Sequence, residues 1–301
     1  MRIVAALGGN ALLERGERPD SDIQQSHVLH AVAALAPLAQ AHDLVVTHGN
    51  GPQVGMLALE SARDPSLSRP YPFDVLGAQT QGMIGYWLAQ ALGGSVPGKA
   101  VGCLICQVVV DAGDPAFANP AKFVGPVYPE EQARVLAAER GWVVRSDGAA
   151  WRRVVPSPEP RRLVELPLIR VLLDSGALVV CAGGGGIPVT SDESGGLHGA
   201  EAVVDKDLTA ALLARALSAD ALLLLTDVDA VIDRFGAADA QPIRRATPGE
   251  LRARSLPAGS MGPKVEAACR FVEATGGLAA IGRLDSAADL LSGNAGTLVL
   301  P

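Results

Sequence analysis

Four lysines stand out because the chain otherwise uses arginine for its positive charges. Lysine occurs only at positions 99, 122, 206 and 264, so the other 21 of the 25 basic residues are arginines. A lysine ammonium is a compact, mobile charge that can follow a phosphoryl group, whereas the planar guanidinium suits static contacts. Lys122, Lys206 and Lys264 lie in motifs rich in glycine, proline or aspartate, which favours a chemical role. The alternative is a composition bias that leaves four surface lysines.

Two acids flank one of these lysines, in the sequence Asp205, Lys206, Asp207. Phosphoryl transfer needs positioned cations that neutralise the charge of the moving group, and Lys206 and Lys264 are the candidates. An acid between two lysines would hold them at a fixed separation and keep both protonated. The alternative makes the acids helix-start residues that complement the helix dipole, a role that Asp205 could also have.

Glycine-rich motifs are the second chemical signal. They are GGN at 8–10, HGNG at 48–51 and GGGG at 183–186. Glycine loops at strand ends let backbone N–H groups approach an anion, and a following helix N-terminus adds a favourable dipole. Several such loops, joined by lysines, predict a polyphosphate site. No P-loop or protein-kinase motif occurs, and no Ser-His-Asp set is recognisable. His48 is a candidate to orient its loop or to donate a hydrogen bond to substrate.

Alternating strands and helices must position these motifs. Short apolar runs alternate with segments of helical spacing, which predicts an α/β fold with a parallel sheet covered by helices. The predicted strands are 2–7, 44–47, 100–111, 177–182 and 221–225, and the predicted helices are 27–41, 76–92, 163–175, 202–217 and 265–275. The glycine-rich and polar loops mostly follow strands, so we expect them at the carboxyl edge of the sheet, where ligands bind in such folds.

Residues 112–160 break the alternation and are rich in proline. Two strand-like runs, 142–145 and 151–155, are joined through Ser146, Asp147 and Gly148, which predicts a β-hairpin. The segment could merely decorate the surface. Because Lys122 lies near its start, we interpret it as a lid subdomain over the site, inserted in a single domain that spans residues 1–301.

Charge and hydrophobicity exclude several classes of protein. The 301 residues include 32 acidic and 25 basic side chains, a net charge of -7, which argues against nucleic-acid binding. With 49% hydrophobic residues there is ample material for a large core. No apolar stretch approaches the ~20 residues of a membrane span, and the first residues lack the pattern of a secretory signal. We therefore expect a cytoplasmic protein with no membrane partner.

The four cysteines do not suggest a disulfide framework in a chain of this length. Cys103 and Cys106 form a CxxC pair, which could be half of a redox or zinc site. The pair lies in a continuous apolar run, and no second pair completes a zinc site. We therefore interpret both as buried cysteines of one long strand.

The motifs keep one order along the chain: IVAALGGNAL at 3–12, THGNGPQVG at 47–55, GAQTQGMIGY at 77–86, GGGGIPV at 183–189, VVDKDLTAALLA at 203–214, LLTDVDAV at 224–231 and GSMGPKVEAA at 259–268. Together with DPAFANPAKFVGPVY at 114–128 and WRRVVPSPEP at 151–160, they closely resemble carbamate kinases of the amino acid kinase family. The resemblance covers residues 2–298. The DKDLTAALLA and lid phrases separate it from aspartate, acetylglutamate and uridylate kinases.

The resemblance implies the reaction ATP + carbamate ⇌ ADP + carbamoyl phosphate, with Mg²⁺ held mainly by the nucleotide phosphates. It implies a homodimer of three-layer α/β/α sandwiches with a mainly parallel sheet. It also implies a phosphotransferase, which could make ATP in the breakdown of ureido compounds, as in arginine metabolism, or make carbamoyl phosphate for biosynthesis; we expect the first direction. No metal ligands from the protein are expected.

Site roles also follow from the resemblance. Lys206 and Lys264 would bind the moving phosphoryl group, Asp207 would organise them, and Lys122 would reach in from the lid. The residues that would hold carbamate and the phosphoryl group are Gly8, Gly9, Asn10, Gly49, Asn50 and Gly51. The residues expected at the nucleotide are Gly184, Gly185, Asp205, Asp227, Val228, Met261 and Pro263.

Two positions depart from the family pattern, and two alternative functions stay open. Ile232 stands where many members have a tyrosine, which predicts weaker adenine packing, and Phe123 replaces a proline of the lid phrase, which affects lid stiffness. One alternative function is a kinase for another small carboxylate, although no arginine in the loop motifs would grip an α-carboxylate. The other is a non-catalytic nucleotide-binding module, which would be expected to have lost a lysine.

Overall fold

The computed structural model describes residues 1–14, 16–237, 239–254 and 261–301. The strands are β1 (Arg2–Leu7), β2 (Asp43–His48), β3 (Val101–Cys103), β4 (Gln107–Val109), β5 (Lys122–Tyr128), β6 (Val143–Asp147), β7 (Ala150–Val155), β8 (Arg162–Leu163), β9 (Leu178–Val180), β10 (Ile187–Ser191), β11 (Leu197–Gly199), β12 (Ala221–Thr226), β13 (Ile232–Asp233), β14 (Gln241–Pro242), β15 (Arg245–Ala246), β16 (Leu278–Arg283) and β17 (Thr297–Val299). The helices are α1 (Ser21–Ala41), α2 (Gly51–Arg63), α3 (Phe73–Ser95), α4 (Glu130–Arg140), α5 (Leu166–Asp174), α6 (Lys206–Ala216), α7 (Pro248–Arg252), α8 (Met261–Thr275) and α9 (Ala287–Ser292).

The central sheet has the order β15-β17-β16-β12-β1-β2-β9-β3. Its pairs are parallel except β16 with β17. The predicted fold class, α/β with a mainly parallel central sheet, is therefore confirmed. Four neighbouring strands, β12, β1, β2 and β9, run parallel and are followed by TDVD, GGN, HGNG and GGGG respectively. Their carboxyl ends meet at one edge, so the four motifs lie side by side.

The sheet separates two hydrophobic cores, because successive strand residues point to opposite faces. Ile3, Ala5 and Leu7 of β1 pack with the buried faces of α1, α3 and α9. Val4 and Ala6 pack with α5, α6 and α8 on the other face. The layers are thus helix, sheet and helix. No helix in the described part of the chain is long and apolar enough to cross a membrane.

The predicted strand 100–111 is wrong, since two short strands replace it. β3 belongs to the central sheet, but β4 belongs to a second sheet of order β11-β10-β4-β8. Between them, the side chain of Gln81 accepts a hydrogen bond from the Cys106 N–H at 2.9 Å and donates one to its carbonyl at 3.0 Å. The glutamine therefore binds both backbone groups of Cys106, and the Cys106 carbonyl also accepts a hydrogen bond from the Ile187 N–H of β10 at 2.8 Å. Cys106 is buried as expected, whereas Cys103 on the edge strand β3 is exposed.

Helix α2 was not predicted. The glycines of HGNG and the following Pro52 indicate a turn, yet the helix starts at Gly51 directly after Asn50. Proline fits the first turn of a helix because the N–H that it lacks would have no helical acceptor there. Because α2 begins soon after β2 ends, its first turn lies at the carboxyl edge of the sheet.

Residues 122–155 form a three-stranded antiparallel sheet of order β5-β7-β6 with helix α4. The strands β6 and β7 form a hairpin in which Asp147 pairs with Ala150. The segment contacts α2 at two glycines, because a Cβ added to Gly55 would lie 2.4 Å from the Cα of Gly125. The absence of side chains at this contact lets β5 approach the start of α2.

Candidate active site

A cavity of about 240 Å³ lies between the carboxyl edge of the sheet and strand β5. Its lining brings together ten of the residues singled out from the sequence: Gly9, Gly49, Asn50, Gly51, Lys122, Gly184, Asp205, Lys206, Asp207 and Lys264. Phe123 also lines it. The three motif lysines thus reach one cavity from three elements, namely β5, α6 and α8.

Asp207 joins two of these lysines at the centre of the site. Its carboxylate accepts a hydrogen bond from Lys206 Nζ at 2.5 Å and one from Lys264 Nζ at 3.2 Å. Burial opposes ionisation of Asp207, but the two ammonium groups outweigh it and lower its pKa from 3.8 to about 2. Burial in turn lowers the pKa of Lys206, against the opposing effect of the aspartate. The carboxylate thus holds two cations at a fixed separation.

Asp205 begins helix α6 and also binds the third lysine. Its side chain accepts hydrogen bonds from the Asp207 and Leu208 N–H groups, which makes it the N-cap. Its other oxygen accepts one from Lys122 Nζ at 2.5 Å. The predicted helix 202–217 therefore starts only at Lys206, where the cap ends the extended backbone. Asp205 serves both the helix dipole and the contact with β5.

Some backbone N–H groups at the sheet edge donate to carbonyls of the sheet, whereas others donate to no described residue. Gly8 donates to the Leu225 carbonyl at 2.9 Å and Gly49 to the Leu7 carbonyl at 3.0 Å, so both extend the sheet pairing. Gly8 lies outside the cavity lining. The N–H groups of Gly9 and Asn50 donate to no other described residue, and Gly51 at the first turn of α2 has no helical acceptor. Gly9, Asn50 and Gly51 therefore offer their amides to an anion.

The GGN motif continues as a short 3-10 helix, Gly9–Ala11. The backbone of Asn10 lies in this turn, while its side chain is outside the described part of the structure. Gly49 has no room for a side chain, because an added Cβ would lie 2.9 Å from the Gly9 nitrogen and 3.4 Å from the Lys206 stem. The first two glycine motifs and Lys206 therefore pack directly on one another.

The GGGG motif packs against HGNG on the other side. A Cβ on Gly183 would lie 2.1 Å from His48 Nε2, and one on Gly184 would lie 2.2 Å from Asn50 Nδ2. Gly185 has φ +89° and an added Cβ would lie 2.4 Å from the Val204 carbonyl oxygen. Gly184, with φ +66°, and Gly185 require glycine by both conformation and space, whereas Gly183 requires it by space alone. Thr209 of α6 donates to the Gly185 carbonyl at 2.9 Å, which links the glycine loop to the lysine-bearing helix.

His48 is buried in this contact. Burial lowers its pKa from 6.5 to about 4, against the hydrogen bond to Gly49, and Lys206 lowers the pKa further. Since a carbonyl only accepts, Nδ1 carries the proton and donates to the Gly49 carbonyl at 3.0 Å. The neutral ring therefore orients the loop, which agrees with one of its two expected roles.

Four of the remaining residues expected at the nucleotide lie at the end of β12 and at the start of α8. Asp227 and Val228 follow β12, and Thr226 donates to Asp227 at 3.1 Å. Met261 and Pro263 occupy the first turn of α8, which starts four residues earlier than predicted. None of these four, nor Gly185, lines the 240 Å³ cavity. Gly259 and Ser260 of the GSMGPK motif lie outside the described residues.

Three buried polar side chains that support the GGN and HGNG loops were not predicted from the sequence. Thr80 of α3 accepts a hydrogen bond from Asn50 Nδ2 at 2.8 Å. Gln53 of α2 donates to Gln24 at 2.9 Å, and Gln24 donates to the Pro19 carbonyl at 2.7 Å, which holds the segment after GGN. All three side chains are buried. Their position on otherwise apolar, buried helix faces was the feature of the sequence that could have indicated this role.

The arrangement suits an anionic substrate of high charge. Two carboxylates face three ammonium groups, and unpaired amides add partial positive charge at the same edge. Both carboxylates are already engaged by lysines, and no group of acids, histidines or cysteines in the described ranges could hold a metal ion. The protein residues present do not fit a metal site of their own.

Comparison with known proteins identifies close relatives. The profile of the amino acid kinase family matches residues 1–281. The chain is 52% identical to a carbamate kinase of Rhizobium meliloti, over 99% of this chain and 93% of that protein. Among solved structures, a carbamate kinase from Giardia lamblia bound to citric acid superposes with a TM-score of 0.92 at 38% identity, covering 99% of this chain and 98% of the other. The same Giardia enzyme bound to AMP-PNP superposes with a TM-score of 0.89 over the same shares.

Proposed function

The chain belongs to the carbamate kinases of the amino acid kinase family, and we propose that its lysine-lined cavity moves a phosphoryl group between ATP and carbamate. One observation carries the proposal, which is the buried Asp207 carboxylate between Lys206 and Lys264. Phosphoryl transfer depends on placed positive charge more than on covalent chemistry from the protein. A pair of ammonium groups at a fixed separation supplies that charge.

In the proposed reaction, a carbamate oxygen attacks the terminal phosphorus of ATP while the bond from that phosphorus to the ADP oxygen breaks. Lys206 and Lys264 would neutralise the charge on the oxygens in transit. Lys122 would add a third positive charge from β5. Its ammonium group would leave the Asp205 carboxylate and bind the phosphoryl group. Because both directions share one transition state, the same residues serve ATP formation in ureido-compound breakdown, the direction that we propose.

We propose two halves for the site. The amides of Gly9, Asn10, Asn50 and Gly51 would hold carbamate and the phosphoryl group, with Gly8 and Gly49 shaping the loops. The nucleotide would lie toward α8 and the end of β12, near Gly184, Gly185, Asp205, Asp227, Val228, Met261 and Pro263. Mg²⁺ would arrive on the nucleotide phosphates, since the site carboxylates are paired with lysines.

Residues 112–160 would act as a lid within one domain of 301 residues. Lys122 and Phe123 line the cavity from this segment, which supports a role in closing it. A lid that carries one of the phosphoryl-binding cations completes the site only when it is closed.

We also propose a homodimer through the edge of the central sheet at β3. Tyr86, Leu168 and Val171 are each about half exposed or more. Helices α3 and α5 flank β3, because Gly85 lies against Cys103 and Leu172 lies near Gly102. An apolar face beside an unpaired strand edge is suited to a second copy. Light scattering should give twice 30.9 kDa, and Tyr86→Glu should give the single mass.

A cytoplasmic location is consistent with the proposed nucleotide substrate and with the four unpaired cysteines.

The test is ATP formation from Mg·ADP and carbamoyl phosphate. Lys264→Ala should lower turnover by about a hundredfold or more, while ADP binding measured by calorimetry largely survives. Lys99→Ala is the matched control, because Lys99 donates to the His42 carbonyl outside the cavity. Unchanged turnover in Lys264→Ala, or no ATP from the wild-type protein, would contradict the proposal.

A further inference from the structure

We propose that Thr80 sets the specificity for carbamate by fixing which atom of Asn50 faces the substrate, an inference that rests on the proposed function. Asn50 lines the cavity, and its Nδ2 donates to Thr80 Oγ1 at 2.8 Å. Thr80 is fully buried in α3 and belongs to no motif given a role above.

The hydrogen bonds determine the orientation of the amide. Thr80 Oγ1 donates its single proton to the Gly77 carbonyl at 2.8 Å, so toward Asn50 it can only accept. A flipped amide would point Oδ1 at the hydroxyl, and Thr80 would have to abandon Gly77 to donate to it. The flipped form keeps one hydrogen bond where the observed form has two, so the observed orientation is favoured.

This orientation leaves Asn50 Oδ1 as an acceptor. No described residue donates a hydrogen bond to Oδ1. Gly184 packs closely on the amide, since a Cβ added there would lie 2.2 Å from Nδ2 and 2.7 Å from Oδ1. An acceptor held in a narrow site selects a ligand that carries an N–H group and disfavours an analogue without one.

Carbamate differs from acetate by an amino group in place of a methyl group. The neighbouring amides and lysines are donors and bind the oxygens of either anion equally well. The carboxylates of Asp205 and Asp207 are acceptors, but both are engaged by lysines. The Asn50 oxygen is therefore the acceptor that distinguishes the amino group. Thr80 is thus a positioning residue, and the specificity that it supports is for the amino group of carbamate.

The experiment measures ATP formation from Mg·ADP with carbamoyl phosphate and with acetyl phosphate, as the ratio of the two kcat/KM values. Thr80→Val keeps the shape of the side chain but frees the amide to flip, so the ratio should fall about tenfold or more, mainly through carbamoyl phosphate. Thr80→Ser keeps the hydroxyl group, so its ratio should stay within about threefold of the wild-type value. Asn50→Leu removes the acceptor and should lower the ratio even if Thr80→Val does not fold.

Thr297→Val is the matched control. Thr297 is a buried threonine whose hydroxyl also donates to a carbonyl, that of Ile243, and accepts an N–H, that of Val231. It lies outside the cavity lining, so its loss should cost stability and leave the ratio unchanged. The inference is overturned if Thr80→Val and Asn50→Leu both keep the wild-type ratio, whether or not their activity with the two phosphoryl donors falls. A wild-type protein that makes no ATP from either donor instead refutes the proposed function.

Discussion

Replacing Asp207 by asparagine keeps the shape of the side chain but removes the charge between two lysines. The ionised carboxylate is favoured by a pKa drop from 3.8 to about 2. At about 1.4 kcal/mol per pKa unit, the folded state gains about 2.5 kcal/mol from this ionisation at neutral pH. Asp207→Asn should therefore lower the free energy of unfolding by about 2 to 3 kcal/mol. The sign follows from the depressed pKa, because the stabilisation is full above pH 4 and disappears as pH falls through 2.

The same substitution should impair chemistry more than nucleotide binding. Without the carboxylate, Lys206 and Lys264 repel each other, and their separation is no longer fixed. Turnover should fall by about a hundredfold or more, while the Kd of ADP changes by less than about fivefold.

Urea unfolding at pH 7 measures the stability, and the coupled ATP assay measures turnover. Asp43→Asn is the matched control, because Asp43 is exposed and its side chain makes no hydrogen bond or ion pair with another described residue. It should leave both quantities unchanged within about 0.5 kcal/mol and about twofold. If Asp207→Asn behaved like this control, the assignment of the carboxylate as the organiser of both lysines would be wrong.

Two further predictions concern the loop histidine and the lid contact. Because the pKa of buried His48 is lowered from 6.5 to about 4, the unfolded chain takes up a proton first, and the free energy of unfolding should fall by about 3 kcal/mol between pH 6.5 and 4. Chemical unfolding across this pH range should show a smaller fall in His48→Gln, and equal slopes would refute the linkage. Gly55→Ala places a Cβ against Gly125, so kcat/KM for carbamoyl phosphate should fall about tenfold as the lid is displaced. The control Gly82→Ala has open space in α3, and equal activity of the two variants would contradict a functional lid contact.

Local patterns predicted the elements that carry the chemistry. Buried strands such as β1 and β12 are continuous apolar runs, and glycine motifs after them are recognisable without a fold. Asp205 could be expected at a helix start because its side chain bonds to amides two and three residues away, a local interaction. The rarity of lysine singled out Lys122, Lys206 and Lys264, which do meet in one cavity.

A contact between distant segments caused one failure of the sequence-based predictions, and local ambiguity caused another. The apolar run 100–111 has the composition of one strand, but the Gln81 side chain from α3 binds Cys106 and divides it. Helix α2 was missed because glycine and proline at its start resemble a turn.

The sequence by itself determined the fold class, the family and the residue types of the site, because periodicity and short motifs depend on neighbours along the chain. Only the tertiary structure decided how those residues are paired. Asp207 reaches Lys264 across 57 positions, and Thr80 orients Asn50 across 30. A hydrogen bond requires its two atoms within about 3 Å and in the right direction. The sequence lists the donors and acceptors, but the packing of α3, α6 and α8 on the sheet sets those distances.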